Sequence, residues 1–338
     1  MLKRLTVLLF LLVLLCSCKK SNIEEITFSS WGSITETEIL NKLINEYEHE
    51  NPNIKINFIH IPQNYFQKIH LLFASSTPPD VIFINNLYLP VYAEQLEDMN
   101  NIINKEDFYN QAINALSYNG KLYAVPRDIS NFVFYYNKDI TGDIAPNWTF
   151  NDLKKLLKKI SNKNSYSISF ERDIYWASPY TLTLGFDEGI KFYKSLEGNY
   201  APTPAQIGSL TQAQMFLDQK IALYLSGRWL FPKIKDTANF DYGIVTFPGK
   251  VSADASGWAI SKNSKHKAEA IKFVKYLSSK PSIDYFTDTG LIVPARIDSS
   301  KKIQEKAFIQ AIYKSIPNNT DKNFNKIRDE YNKNFFFN

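Results

Sequence analysis

"YNGKLYAVPRDISNFVFYYNKD" (residues 118–139) sets an arginine and an aspartate between two apolar, aromatic-rich runs. Charged side chains are almost never fully buried unless paired, so Arg127 and Asp128 either pair with each other or reach into a wet cavity. Which of the two holds depends on how the rest of the chain is organised.

The N-terminus speaks to compartment. "MLKR" supplies a positive segment, "LTVLLFLLVLL" an apolar one and "LCSC" a small-residue processing site, the pattern of a secretory signal. Its apolar run, Leu5 to Leu15, falls short of the about 20 residues needed to span a bilayer. Leu15-Cys16-Ser17-Cys18 resembles a bacterial lipobox, in which a diacylglycerol is transferred to a cysteine thiol and the chain is cut just before it. Cys18, preceded by a small Ser, fits that role better than Cys16, preceded by Leu; the alternative is a plain cleaved signal peptide. Residues 1–17 are thus expected as a lipoprotein signal peptide and 18–25 as a tether. Both cysteines of the chain lie here, so the mature protein has no disulfide and no cysteine-rich metal site. Neither metal nor cofactor is expected. Cleavage before Cys18 leaves 37 basic against 34 acidic residues, too balanced to indicate a nucleic-acid partner.

The 321 residues that follow the cut exceed the usual size of one domain and predict two, with no linker long enough to separate them as independent beads. "EEITF" reads as a strand, and "ETEILNKLINEYEHE" sets Ile39, Leu40, Leu43, Ile44 and Tyr47 on one helical face. "NPNIKINFIHI" is a turn and a strand, "YFQKIHLLFASS" a helix, and "PPDVIFI" a continuous apolar run of the kind buried on both faces of a sheet. "TFNDLKKLLKKI" opens with a capping-box pattern at Thr149 and Asp152. "KIALYL", "YGIVTFP" and "SGWAIS" read as strands and "KHKAEAIKFVKYLSS" as an amphipathic helix. Alternating strands and helices give an α/β layer architecture.

"FSSWG", "NPNIKI", "PPDVIFINN", the opening stretch, "NWTFNDLKKLLKKI", "LDQKIALYLSGRW", "DYGIVTFPG", "SGWAISKNSKHKAEAIKFVKYLSS" and "TGLIVPAR" resemble, in order and spacing, the extracellular sugar-binding lipoproteins of bacterial ABC transporters, the maltose-binding-protein-like group. The resemblance covers residues 26–296 and departs between "WASPYTLTLGF" and "LTQAQMF", where about two dozen residues replace a longer helical region. It implies an α/β, two-lobed periplasmic-binding-protein-like fold (type II), with a ligand cleft between lobes joined by hinge crossings. Residues 22–128 plus 256–288 would form the N-terminal lobe and 132–250 plus 294–338 the C-terminal lobe. The first crossing would fall at Arg127 to Asn131. It also implies a monomer that takes a small-molecule carbohydrate, engages ABC transporter permease subunits and is lipid-anchored in the bacterial cell envelope, on the outer face of the cytoplasmic membrane or in the periplasm.

Candidate ligand contacts follow. Asp128 offers two acceptor oxygens to vicinal hydroxyls, and Arg127 a donor fork for an acidic group or a partner carboxylate; an internal pair is the alternative for both. Trp31, Trp176, Trp229 and Trp258 sit at element ends beside small or polar residues. There an indole can stack on the C–H face of a sugar ring, whereas Trp148 reads as packing. Asn85 and Asn86 follow a buried strand, where ligands approach open α/β sheets, and are also ordinary turn residues. Gly227 and Arg228, with Trp229, open a helix whose N–H groups favour oxygen ligands; Gly227 alternatively forms only a tight turn. Arg296 contacts ligand or clasps the returning crossing. The arginines leave room for an acidic or phosphorylated ligand. A surface lipoprotein with glycoside-directed activity is the other alternative, although no nucleophile elbow, phosphate loop or zinc-protease motif is present.

Overall fold

The structure is a computed structural model that describes residues 23–161, 165–318 and 321–337. The expected signal segment and Cys18, the expected lipidation site, lie outside the described residues. Its strands are β1 (Glu24–Ser30), β2 (Ile54–His60), β3 (Val81–Asn85), β4 (Ser117–Tyr118), β5 (Lys121–Leu122), β6 (Val125–Asn131), β7 (Val133–Asn137), β8 (Tyr166–Ile168), β9 (Ile221–Ser226), β10 (Tyr242–Thr246), β11 (Val251–Ile260) and β12 (Ser315–Pro317).

One sheet runs β2-β1-β3-β11, with β1 parallel to both β2 and β3 and β11 antiparallel to β3. The apolar run Val81–Ile84 is buried throughout, as a strand covered on both faces requires. The helix Ile34–Glu50 buries Leu40, Leu43, Ile44 and Tyr47, the face that its 3.6-residue period lays against the sheet. The second sheet runs β10-β7-β9-β8, with β7 antiparallel to both neighbours. Its helix Phe150–Ile160 starts on the Thr149–Asp152 capping box and buries Leu153, Leu157 and Ile160. Two apolar clusters form: one around Phe28, Phe83 and Trp258, which also takes Val133, Tyr135 and Tyr224 from one face of the second sheet, and one around Phe134, Trp148, Tyr180 and Phe247 on that sheet's other face. The two sheets make the protein two-lobed.

The chain passes between the lobes at places set by backbone hydrogen bonding. β6 stays paired with β11 as far as Asn131 opposite Ala253, and β7 begins at Val133 in the other sheet. The passage is therefore at Phe132, and Arg127 to Asn131, expected to be the crossing, belong to the first sheet. They are held there because their peptide groups still find partners on β11. β11 is the second link: Val251 lies in the second core, Ala253 and Ala255 in the first. Ile292–Ala295 runs along β6, with Ile129 N–H donating to Val293 O at 2.8 Å and Ala295 N–H to Arg127 O at 2.9 Å. The helix Lys306–Lys314 packs across β6, β7 and β10. The helix Phe324–Phe336 docks on the helix Ile174–Leu184 and gives Phe336 to the second core.

Trp148 is a core residue of the second lobe, its Nε1–H donating to Thr246 O at 2.8 Å. Trp148→Ala should cost about 3–5 kcal/mol of stability, read as a lower melting temperature, and leave ligand affinity of the folded fraction unchanged.

Candidate ligand-binding cleft

Between the sheets lies a pocket of about 180 Å³, lined by Trp31 just beyond the end of β1, Glu36, Arg127 to Ser130 of β6, Ser256 of β11, Arg228 and Trp229 beyond the end of β9, and Leu291–Val293. Five of the residues singled out in the sequence meet here: Trp31, Arg127, Asp128, Arg228 and Trp229. A groove of about 610 Å³ between the first lobe and Asn325 of the C-terminal helix is larger, but the small pocket is the one that gathers the residues singled out in the sequence.

Arg127 is the centre of the pocket floor. Ser256 pairs with Asp128 and Gly257 with Pro126, so Arg127 is the extra residue of a β-bulge, a device that re-aims a side chain. Its Nε donates to Asp128 Oδ2 at 2.6 Å, and its Nη1 lies 3.1 Å from Glu36 Oε1. Its guanidinium lies over the rings of Phe83, Phe286 and Trp258, at 4.2, 5.1 and 5.7 Å from their centroids, a cation–π arrangement. Burial alone would weaken its charge, and the two carboxylates more than reverse this, so its pKa rises. Burial pushes the Asp128 carboxyl above its usual range, and Arg127 offsets only part of that. The paired reading of Arg127 and Asp128 is the one observed, in the floor of the pocket.

Glu36 was missed in the sequence. It is the third residue of the helix Ile34–Glu50 and closes a capping box with Ser33, accepting from Ser33 N–H at 2.9 Å through the oxygen that does not face Arg127. The S-x-x-E pattern at 33–36 was the available signal.

Trp229 is the exposed aromatic of the pocket, 42% accessible. Gly227 lets its ring fold back: a Cβ at Gly227 would fall 1.8 Å from the indole. Tyr135 donates to Gly227 O at 2.9 Å and fixes that turn from below. Arg228 points elsewhere. Its Nη1 donates to Ile292 O at 2.5 Å and Thr287 O at 3.3 Å, with Glu305 at 3.8 Å, so it ties the end of β9 to the returning crossing. Burial lowers its pKa, with Glu305 offsetting in part. Trp31 packs on Tyr65, Phe66 and Phe83, which holds it at the rim.

Other residues singled out fall outside the pocket. Trp258 is fully buried between Phe28 and Phe83; on β11 it faces the core beneath Arg127 and supports that side chain instead of offering a stacking face. Arg296 is held by Asp298 and Asp107 over the ring of Phe108, so it clasps the crossing. Asn86 is buried, donating to Asp254 at 2.9 Å and accepting from Ala255 N–H at 3.1 Å, and lines a separate cavity of about 170 Å³. Asn85 pairs with Ser256 and caps its own turn by accepting from Tyr88 N–H. Trp176 packs tilted against Phe132 at 5.0 Å, and Phe132 in turn meets Trp229 at 6.4 Å. Tyr175 beside it donates to Asp254 Oδ2 at 2.5 Å, a hydrogen bond from the second lobe to β11.

With this geometry in place, comparison with known proteins shows that residues 42–311 match the family described as bacterial extracellular solute-binding protein. A maltotriose-binding protein of Pyrococcus abyssi is 24% identical over 73% of this chain, and the match spans 61% of that protein. A multiple sugar-binding protein of Streptococcus mutans is 24% identical over 82% of this chain and 78% of its own length. Among solved structures, an ABC substrate-binding protein of Listeria monocytogenes in complex with cycloalternan superposes with a TM-score of 0.79 at 23% identity, covering 92% of each chain. A maltotriose binding protein of Thermus thermophilus gives 0.71 at 18% identity over 91% of this chain and 92% of its own. These structures share the fold.

Because the Trp229 ring rests on Gly227, Gly227→Ala should dislodge the indole without unfolding the lobe. A titration should show affinity for the bound solute falling about tenfold, as expected when an anchoring ring is misplaced, with a melting curve close to the parent's.

Proposed function

The chain belongs to the bacterial extracellular solute-binding protein family, and from that premise we propose that it is the substrate-binding lipoprotein of an ABC transporter, which captures a sugar or oligosaccharide and delivers it to the permease. The observation that carries the sugar reading is the pocket itself. The indoles of Trp229 and Trp31 line it together with the Asp128 carboxylate and the residues Ser130 and Ser256, the combination that grips a ring with polarised C–H faces and a polar rim. The sugar-binding relatives support it.

The charge state of the pocket favours a neutral ligand over an acidic or phosphorylated one. Arg127 is engaged by Asp128 and Glu36, and Arg228 by two carbonyls and Glu305. An anion would have to displace these carboxylates from buried guanidinium groups, at the cost of leaving charge uncompensated. The same pairing argues for binding over glycoside hydrolysis, since both carboxylates beside Arg127 are engaged as its ion-pair partners.

The proposal includes a monomer whose lobes close on the ligand about Phe132, the start of β11 and the segment Ile292–Ala295, as hinge-type binding proteins do. It also includes an anchor at Cys18 in the cell envelope. No helix among the described residues is long and apolar enough to cross a membrane.

The decisive experiment is calorimetric titration with neutral and anionic saccharides. A neutral sugar should bind, and Trp229→Ala should weaken it about 30-fold, the loss of about 2 kcal/mol typical of a rigid aromatic anchor. A well-folded Trp229→Ala protein that binds like the parent removes the stacking assignment. In cells, the parent should partition into the detergent phase and Cys18→Ala should release the protein or leave its precursor uncleaved; unchanged partitioning excludes the anchor.

A further inference from the structure

The helix Phe150–Ile160 buries Leu153, Leu157 and Ile160 and turns Lys154, Lys155, Lys158 and Lys159 to solvent on its opposite side. Positions i, i+1, i+4 and i+5 form one contiguous strip of a helix surface. Resting on the envelope anchor proposed above, we propose that this strip is a docking surface for anionic lipid headgroups, which lays the second lobe on the membrane that holds the tether.

The fold itself does not use the charge of the strip. Each of five other helices sets a lysine beside an acid one turn away: Lys42 and Glu46, Lys191 and Glu188, Lys272 and Glu269, Lys280 and Asp284, Lys326 and Glu330. Here lysine stands one turn from lysine, Lys154 from Lys158 and Lys155 from Lys159, a repulsive arrangement. Among the described residues Lys158 and Lys159 make no ion pair, and Lys154 lies over the rings of Phe150 and Phe192 at 5.3 and 5.7 Å. Lys155 stands 3.9 Å from Asp152, whose other oxygen is occupied by the Thr149 N–H at 2.9 Å and hydroxyl at 2.7 Å. Lys158 and Lys159 complement the C-terminal end of the helix dipole, but Lys154 and Lys155 lie outside the last turn. The neighbouring helix Phe186–Lys194, joined through Phe150 and Phe192 at 5.0 Å, adds exposed Lys191 and Lys194; Asp187 and Glu188 in its first turn are its acids.

Charge and chain length together select the occupant. The chain after residue 17 carries 37 basic and 34 acidic residues, so the strip is a local concentration and not the sign of the whole surface. Anionic headgroups attract lysines placed beside a membrane, and the attraction fades within a Debye length, about 8 Å at physiological salt. Ile23, the first described residue, is five residues beyond Cys18, a distance that an extended chain spans in about 18 Å. An anchored molecule therefore stays close to the surface on which so short-ranged an attraction acts. Four charge contacts too weak to hold a free protein suffice to orient one already anchored, because the second contact is then intramolecular. The core of a protein–protein interface is depleted in lysine, whereas a fluid headgroup layer needs no fixed complement.

The test uses the chain without residues 1–17 and with Cys18→Ala, so that no lipid is attached, against vesicles of phosphatidylglycerol and of phosphatidylcholine. Cosedimentation at low salt should show binding to the first and not to the second, lost at about 1 M salt, where screening shortens to about 3 Å. The triple substitution Lys154→Glu, Lys158→Glu and Lys159→Glu should lower the partition coefficient by about tenfold or more, with a melting temperature close to the parent's. A second triple, Lys265→Glu, Lys301→Glu and Lys333→Glu, changes the net charge equally at exposed lysines elsewhere and should keep most of the binding. Equal losses in the two triples, equal binding to both vesicles, or no binding to phosphatidylglycerol overturns the docking surface. The anchor is tested separately by the partitioning of the full-length Cys18→Ala protein; if that reading fails, vesicle binding lost only in the first triple still supports the headgroup contact.

Discussion

A guanidinium buried on a bulge organises this cleft. Arg127 leaves the register of β6 and spreads over Phe83, Trp258 and Phe286, and it stays charged because Asp128 and Glu36 hold it from two directions. Removing either carboxylate would leave a buried charge partly uncompensated, which is far costlier than never having built the pair. The arrangement fixes three elements at once: the end of β6, the first turn of the helix Ile34–Glu50 and the core face of β11. The pocket floor is stiff for that reason.

Above that floor the aromatic residues divide by what lies behind them. Trp258 has core on every side and supports Arg127. Trp31 leans on Tyr65 and Phe83 and lines the pocket. Trp229 rests on the Gly227 backbone with Phe132 edge-on at 6.4 Å and stays exposed. The same residue type thus serves as pillar, rim and platform, the first two by what the neighbouring strands bring against the ring and the third through the adjacent Gly227.

The links between the lobes are varied in kind. Phe132 is a bare passage between two strands, β11 is shared by both cores, and Tyr175 reaches from the second lobe to Asp254 on β11. Arg228 ties β9 to the returning segment through the carbonyl of Ile292. Lys322 pairs with Glu94 at 2.8 Å, so the C-terminal segment touches the first lobe before its helix docks on the second.

By itself the sequence determined the periodic elements and the family. Leu40, Leu43, Ile44 and Tyr47 face inward because helical spacing leaves them no other choice, Val81–Ile84 is buried because nothing in it can face water, and Thr149–Asp152 caps its helix through purely local bonds. Ordered landmarks along the chain carried the two-lobed architecture. What a side chain does at an element end is another matter, because its partners are distant in sequence. Only the tertiary structure could show that β6 stays paired to Asn131, that the bulge turns Arg127 onto Trp258, that Glu36 comes across from another helix, and that Arg296 and Arg228 spend their guanidinium groups on the crossing. Local pattern fixes which face of an element is apolar, while hydrogen-bond partners and charge compensation are supplied by whatever strand the fold brings alongside.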